Sequence, residues 1–284
     1  MQLVKQVKSF GGVVKQYSHE SASTKCTMTF SIFLPPTASD SHKVPALFYL
    51  AGLTCTDELL FVKAPEAQKV AASRGIAIVT TDTSPRGYPT SIPGDEDSWD
   101  FGTGAGFYVD ATEPHWDEHY RMYSYVTKEL PALITAHFPV LEDQHSIMGH
   151  SMGGHGALVL GIRNPTQYKS ISAFAPISHP SQCPWGIKAF TGYLGVDQET
   201  WKPYDATQLI LSQGPIAQTI LIDQGREDNF LHDKQLLPEA FEAACNSVGQ
   251  KVTVRMQDGY DHSYFFIASF VEDHVNFHAD ALLQ

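Results

Sequence analysis

The sequence predicts an α/β protein: one domain over residues 1–284, built on a mostly parallel central sheet with helices on both faces. Short β-rich runs alternate with amphipathic helical stretches along the chain, which is the order of a parallel sheet. The runs Ala46-Leu47-Phe48-Tyr49-Leu50 and Ile76-Ala77-Ile78-Val79 are almost continuously apolar, as strands covered on both sides require. No repeat, charge block or low-complexity linker divides the chain. Its 284 residues fit one large α/β domain at roughly 150 residues per average domain.

In order, Thr27–Leu34 reads as a strand, followed by Pro45–Leu50, a helix over Pro65–Ser73 and a strand over Ile76–Asp82. A helix is expected over His119–His137, where Leu130, Leu133, Ile134 and Phe138 share one face. Strand Gln144–Gly149 and helix Gly154–Arg163 come next, then strands Lys169–Ala175 and Thr219–Gln224. Helix Asp233–Val248, strand Lys251–Gln257 and helix His262–His278 complete the series. Two stretches resist this reading: Thr83–Thr112 is rich in Gly, Pro, Asp and aromatics, and Ser178–Gly214 lacks clear periodicity until its end. Long irregular segments in a compact domain commonly form the rim of a site.

Composition narrows the function. With 43% hydrophobic and 18% charged residues the chain is globular rather than disordered. Nineteen Lys and Arg against 31 Asp and Glu leave a net charge of −12, which argues against a sequence-independent grip on nucleic acid. No run approaches the ~18 apolar residues that would span a bilayer. The N-terminal MQLVKQVKSFGG lacks a signal-peptide core. Cys26, Cys55, Cys183 and Cys245 are far apart and expected to be free thiols. Together these features predict a cytoplasmic protein that interacts with neither membrane nor nucleic acid.

The strongest chemical signal is Gly149-His150-Ser151-Met152-Gly153, between the apolar strand HSIMG and the helical GALVLGI. This G-x-S-x-G in a strand–turn–helix context is the nucleophile elbow of α/β hydrolases. A serine hydroxyl needs a base to take its proton, and in that fold the chain order is serine, acid, histidine. Asp228 follows the strand Thr219–Gln224, and His262 follows the strand Lys251–Gln257, so both fall where the order requires them. Glu227 competes with Asp228 on pattern alone. Asp223 lies inside a strand and Asp261 adjoins the histidine; the loop position and the Asn229-Phe230 that follows favour Asp228. His150 and His155 flank the nucleophile and are expected to pack or hydrogen-bond around the elbow. The oxyanion donors are expected from the backbone N–H groups of Met152 and, in the loop Ala51–Thr56, of Leu53.

Other signals carry less. Gly102-Thr103-Gly104-Ala105-Gly106 has no preceding strand and lacks G-x-G-x-x-G spacing, so it reads as a tight loop packed by Trp99, Phe101 and Phe107. The pairs His115/His119 and His274/His278 have metal-binding spacing but no third ligand nearby, and no metal or cofactor is expected. Cys55 borders the oxyanion loop; it reads as a buried small hydrophobe, or more sharply as a thiol whose modification would block the site.

With these residues in hand the chain resembles the S-formylglutathione hydrolases, the esterase D family. The stretches that carry the resemblance are LAGLTCTDE (50–58), TSPRG (83–87), WDFGTGAGFYVDAT (99–112), YRMYSYVTKELP (120–131), GHSMGGHGAL (149–158), CPWGIKAFTGYLG (183–195), DQGREDNFL (223–231) and YDHSYFFI (260–267). The first 25 residues match less tightly. Leu59-Leu60-Phe61 stands where the family usually has Asn-Phe. The resemblance implies the α/β-hydrolase fold, no cofactor and commonly a homodimer. It puts nucleophile, acid and base on Ser151, Asp228 and His262, and the oxyanion donors on Leu53 and Met152. The implied reaction is hydrolysis of the small-molecule thioester S-formylglutathione to glutathione and formate, a step of formaldehyde detoxification. Trp99, Phe107 and Trp185 could narrow a pocket around a formyl group, beside Cys55. Lys63, Arg86 and Lys188 lie in candidate rim segments that could meet the glutathione carboxylates.

Overall fold

A computed structural model describes residues 1–88 and 92–284. Nine strands form one sheet: β1 Gln2–Ser9, β2 Gly12–Glu20, β3 Thr27–Leu34, β4 Val44–Leu50, β5 Ala77–Thr81, β6 Val140–His150, β7 Tyr168–Phe174, β8 Ile220–Gly225 and β9 Val252–Gln257. Their spatial order is β1-β2-β3-β5-β4-β6-β7-β8-β9. The pairings from β5 through β9 are all parallel, whereas β1, β2 and β3 join antiparallel. The helices are α1 Leu59–Lys63, α2 Glu66–Arg74, α3 Met122–Ser124, α4 Leu130–His137, α5 Met152–Arg163, α6 Pro184–Leu194, α7 Ala206–Gln213, α8 Asn229–His232, α9 Pro238–Val248 and α10 Tyr264–Leu282.

The two faces of the sheet are covered by different helices, and β7 shows how. Ser170 and Ser172 point to one face, where they bond His278 and His274 of α10. Ile171, between them, points to the other, where its side chain fills the space beside Gly161 of α5. A Cβ on Gly161 would meet Ile171 Cδ1 at 2.5 Å, so the helix lies flush on the strand. The all-buried VPALFYL of β4 follows from the same double cover.

The seven strands expected from sequence are present within a residue or a few of their expected ends. The β1–β2 hairpin was not expected. β1 is exposed along nearly its whole length, so no buried face marks it in the sequence. The turn does carry a signal: Phe10 and Gly11 both have positive φ (45° and 79°) between the paired Ser9 and Gly12, the geometry of a two-residue hairpin loop. The helix expected over His119–His137 is interrupted by a π-helical turn at Tyr125–Glu129, just before Pro131, which has no N–H to return to the preceding turn. Ser178–Gly214, expected to be irregular until its end, holds α6 as well as α7 at that end; Pro184, Gly186 and Gly192 mask the period of α6. Both glycines are required by contact, because a Cβ at Gly186 would strike the Pro180 carbonyl at 2.0 Å and one at Gly192 the Phe101 ring at 2.3 Å. The helix expected from Asp233 starts only at Pro238, after Leu237 turns left-handed (φ 54°). Of the irregular stretch Thr83–Thr112, residues 89–91 lie outside the described residues.

Candidate active site

Ser151 sits between the end of β6 and the start of α5 with φ 58° and ψ −118°, a backbone conformation that costs an L-residue on the order of 1–3 kcal/mol. The neighbourhood enforces it. A Cβ on Gly149 would come within 2.0 Å of the Gly153 carbonyl, and one on Gly153 within 2.0 Å of the Leu50 carbonyl. The chain can therefore turn this sharply against β4 only with glycine at both positions. The Ser151 N–H donates to the Phe174 carbonyl at 2.9 Å, and its carbonyl accepts from His155 (2.9 Å) and Ile177 (3.2 Å). Main-chain bonds on both sides thus lock the elbow over the carboxyl ends of β6 and β7. The first N–H groups of α5 face the same region, where they favour developing negative charge.

Asp228 lies in the turn after β8 and is fully buried. Three donors converge on its carboxylate: His262 Nδ1 at 2.6 Å and Gln224 Nε2 at 3.0 Å on Oδ2, and the Phe230 N–H at 2.8 Å on Oδ1. The carboxylate is the acceptor, so the imidazole carries its proton on Nδ1 and leaves Nε2 free to accept. The competing acids are committed elsewhere. Asp223 takes Arg255, Gln257 and His274. Burial pushes its carboxyl up, but the hydrogen bonds from His274 and Arg255 outweigh burial and hold it at about 2. Glu227 is exposed, and Asp261 caps the Ser263 N–H at 2.9 Å.

Ser151 and His262 line one cavity of about 210 Å³ together with Gly52, Leu53, Cys55, Trp99, His150, Trp185 and Phe230. Its aromatic wall is continuous: Trp99 stands edge-on to Trp185 (88°), Trp185 packs on Phe230 at 4.6 Å, and Phe230 stands edge-on to His262 at 4.8 Å. Leu53 lies in a laced loop. Thr54 N–H donates to the Gly104 carbonyl at 2.9 Å and Cys55 N–H to the Gly52 carbonyl at 3.2 Å, while nothing among the described residues accepts from the Leu53 N–H. The loop around Gly104, read from sequence as a tight turn, is therefore the brace under Leu53. Met152, the other expected donor, is the first residue of α5.

Several expected pocket residues lie elsewhere. Phe107 is wholly buried and does not line the cavity; Phe107 and Tyr108 both have positive φ, and the Phe107 ring lies 5.9 Å from that of His155, whose Nε2 donates to the Phe107 carbonyl at 2.8 Å. Arg86 pairs with Asp82 at 2.9 Å and Lys188 with Asp100, so both cations are engaged by neighbouring carboxylates; Lys63 is exposed at the end of α1. None of the three lines the cavity. Cys55 does line it, and burial pushes its thiol up to about 11. His274 and His278 bond serine hydroxyls and Asp223, and His119 bonds the Thr24 carbonyl, so these imidazoles are engaged in packing contacts. Among the described residues no three His, Cys, Asp or Glu side chains cluster as metal ligands would. Sequence reasoning missed Phe230 and Gln224 as members of the site; both flank Asp228 within four residues, the one local clue to their place.

A parallel sheet with a strained serine elbow at its carboxyl edge and helices on both faces defines an α/β-hydrolase-type esterase fold. A family model described as "Putative esterase" matches residues 21–277. The S-formylglutathione hydrolase of Rattus norvegicus is 55% identical over 275 residues, covering 97% of this chain and 96% of that protein. That of Arabidopsis thaliana is 54% identical over 276 residues, covering 97% and 95%. The solved structure of an S-formylglutathione hydrolase from Agrobacterium tumefaciens superposes with a TM-score of 0.95 at 46% identity, covering 99% of this chain and 100% of that one. The chain belongs to the S-formylglutathione hydrolase family of esterases.

Proposed function

We propose that the protein hydrolyses S-formylglutathione to glutathione and formate through a formyl-serine intermediate. The observation that carries the reading is the 2.6 Å bond from His262 Nδ1 to buried Asp228, with His262 and Ser151 lining the same cavity. Ser151 Oγ attacks the formyl carbon while His262 Nε2 takes its proton, and Asp228 holds the tautomer and stabilises the imidazolium. Oxygen charge is met by the N–H groups of Leu53 and Met152, worth on the order of 3 kcal/mol each. The C–S bond breaks as the carbonyl re-forms, and the thiolate leaves as glutathione with the proton from His262. Water, deprotonated by the same Nε2, then attacks the formyl ester and releases formate and Ser151. The steps balance in protons and electrons within these residues, water and substrate.

The wall of Trp99, Trp185 and Phe230 around about 210 Å³ suits the smallest acyl group, and a formyl thioester is the smallest activated one. The high identity to curated S-formylglutathione hydrolases across nearly the whole chain supports the same substrate. We place the reaction in the cytoplasm, in formaldehyde detoxification, in keeping with four free cysteines; no helix among the described residues is long and apolar enough to cross a membrane. Homodimer formation, implied by the family resemblance, is tested by sedimentation. The functional test compares kcat/KM for S-formylglutathione with that for short aryl esters. A preference for the thioester of at least about a hundredfold, or ~2.7 kcal/mol in transition-state binding, is expected. Equal or better turnover of the aryl esters reassigns the protein as a broad short-chain carboxylesterase.

A further inference from the structure

His262 lies in the loop between β9 and α10, and β9 is an edge strand with β8 as its one neighbour in the sheet. The Asp228 bond holds the His262 ring, and the Glu227 N–H, donating to the Tyr260 carbonyl at 2.9 Å, holds the loop to the turn after β8; neither bond reaches the strand that carries Ser151. The structure supplies a further tie that does. His150, the last residue of β6 and the immediate predecessor of Ser151, extends its imidazole to the His262 loop, where its Nε2 lies 3.1 Å from the His262 carbonyl. A carbonyl only accepts, so the proton is on Nε2 and the donor is His150. The two rings lie 4.6 Å apart, inclined at 45°, and the Tyr264 ring stands edge-on to His150 at 5.9 Å. His150 Nδ1 is buried without a partner and faces Gly52, where an added Cβ would come within 3.2 Å of it.

We propose that His150 is a positioning residue for the base, tying the main chain of His262 to the strand that carries Ser151 so that nucleophile and base keep a fixed separation. The inference rests on the proposed roles of Ser151 and His262. Three properties suit this side chain to hold the base: an N–H donor at the right reach, a flat ring that packs on His262, and no charge beside an imidazole that becomes positive during turnover. Burial, reinforced by the neighbouring His262, pushes the His150 imidazole well below its ordinary range, so it stays neutral at working pH. Lysine or arginine could reach the carbonyl but would bring a cation against the imidazolium.

The donor and the ring can be separated by substitution. His150→Phe keeps the ring and loses the donor; His150→Gln keeps a neutral donor of similar reach; His150→Asn keeps a donor too short to reach. With S-formylglutathione, kcat of His150→Phe should fall about tenfold or more with KM changed less than about twofold, since misplacing the base affects the chemical step rather than binding. His150→Gln should recover most of that loss and His150→Asn should not. A His150→Phe enzyme with wild-type kcat, or Gln and Asn variants of equal activity, overturns the proposal. If His150→Phe does not fold, the Gln–Asn comparison decides alone. Ser151→Ala, assayed alongside, keeps the readings apart: a fully active Ser151→Ala enzyme refutes the nucleophile, whereas an inactive one beside an unaffected His150→Phe refutes only the role of His150.

Discussion

Two buried aspartates five residues apart should fail in different ways. In Asp228→Asn the amide has one oxygen where the carboxylate has two, and the Phe230 N–H and Gln224 amide both donate to this group, along with His262. If the Asn oxygen keeps the Phe230 N–H, its NH₂ faces His262 Nδ1 and donates to it. The imidazole then carries its proton on Nε2 and cannot accept one from Ser151. By analogy with the same change in serine proteases, kcat should fall about 10⁴-fold, or ~5.5 kcal/mol at 1.36 kcal/mol per tenfold, with the fold intact. Asp223→Asn removes the charge partner of Arg255 and an acceptor for His274, and Asp223 does not line the cavity that holds Ser151. It should cost about 2 kcal/mol or more in unfolding free energy and leave kcat per folded molecule within about twofold. The assay is kcat on S-formylglutathione, normalised to folded protein by circular dichroism, beside urea unfolding of each variant. A catalytically dead but stable Asp223→Asn enzyme, with a near-normal Asp228→Asn, would refute the assignment of the acid.

Two further outcomes are expected. His155 is wholly buried and burial pushes its imidazole from 6.5 down to about 4, so it stabilises the fold above the unfolded value, and that contribution fades as pH falls from 6.5 toward 4. His155→Gln, which keeps a donor for the Phe107 carbonyl, should therefore narrow the loss of stability between about pH 7 and about pH 5 by ~2 kcal/mol in urea titrations, and an unchanged pH slope would contradict this. The Cys55 thiol, pushed up to about 11, holds little thiolate at neutral pH; alkylation should be slow, speed up with rising pH and abolish activity once complete because the adduct fills the cavity, whereas full activity after complete alkylation of Cys55 would end that reading.

What was legible in the sequence followed from local rules. The parallel strands announced themselves as apolar runs because both faces are covered, and β1 did not because neither of its faces is. The elbow was legible because its geometry dictates its glycines. Gly149 and Gly153 stand where any side chain would collide with backbone at 2.0 Å, so the turn leaves its mark as residue identity within five positions. The order of Asp228 and His262 after successive strands was likewise a property of the chain path, and the structure brings both into one hydrogen bond.

The pocket wall was less legible, for reasons that differ from residue to residue. Trp99, Trp185 and Phe230 meet from a loop, α6 and α8, so their contact is made by tertiary packing and leaves no spacing to read. Phe107 looked equivalent to Trp99, eight residues earlier in the same aromatic stretch, yet Phe107 is wholly buried while Trp99 stays 56% exposed at the mouth. Two of the three rim cations are engaged for an electrostatic reason that composition already held. In a chain with twelve more acids than bases, Arg86 and Lys188 each find a carboxylate beside them before a substrate arrives. A glutathione carboxylate at Arg86 or Lys188 must therefore displace Asp82 or Asp100, which leaves Lys63, exposed at the end of α1, and backbone N–H groups as the other donors. We therefore expect substrate recognition to depend more on the shape of the aromatic wall and on N–H donors than on paired surface charge. On that account, raising ionic strength should change KM for S-formylglutathione by less than about threefold, whereas a site built on unpaired cations would weaken steeply with salt.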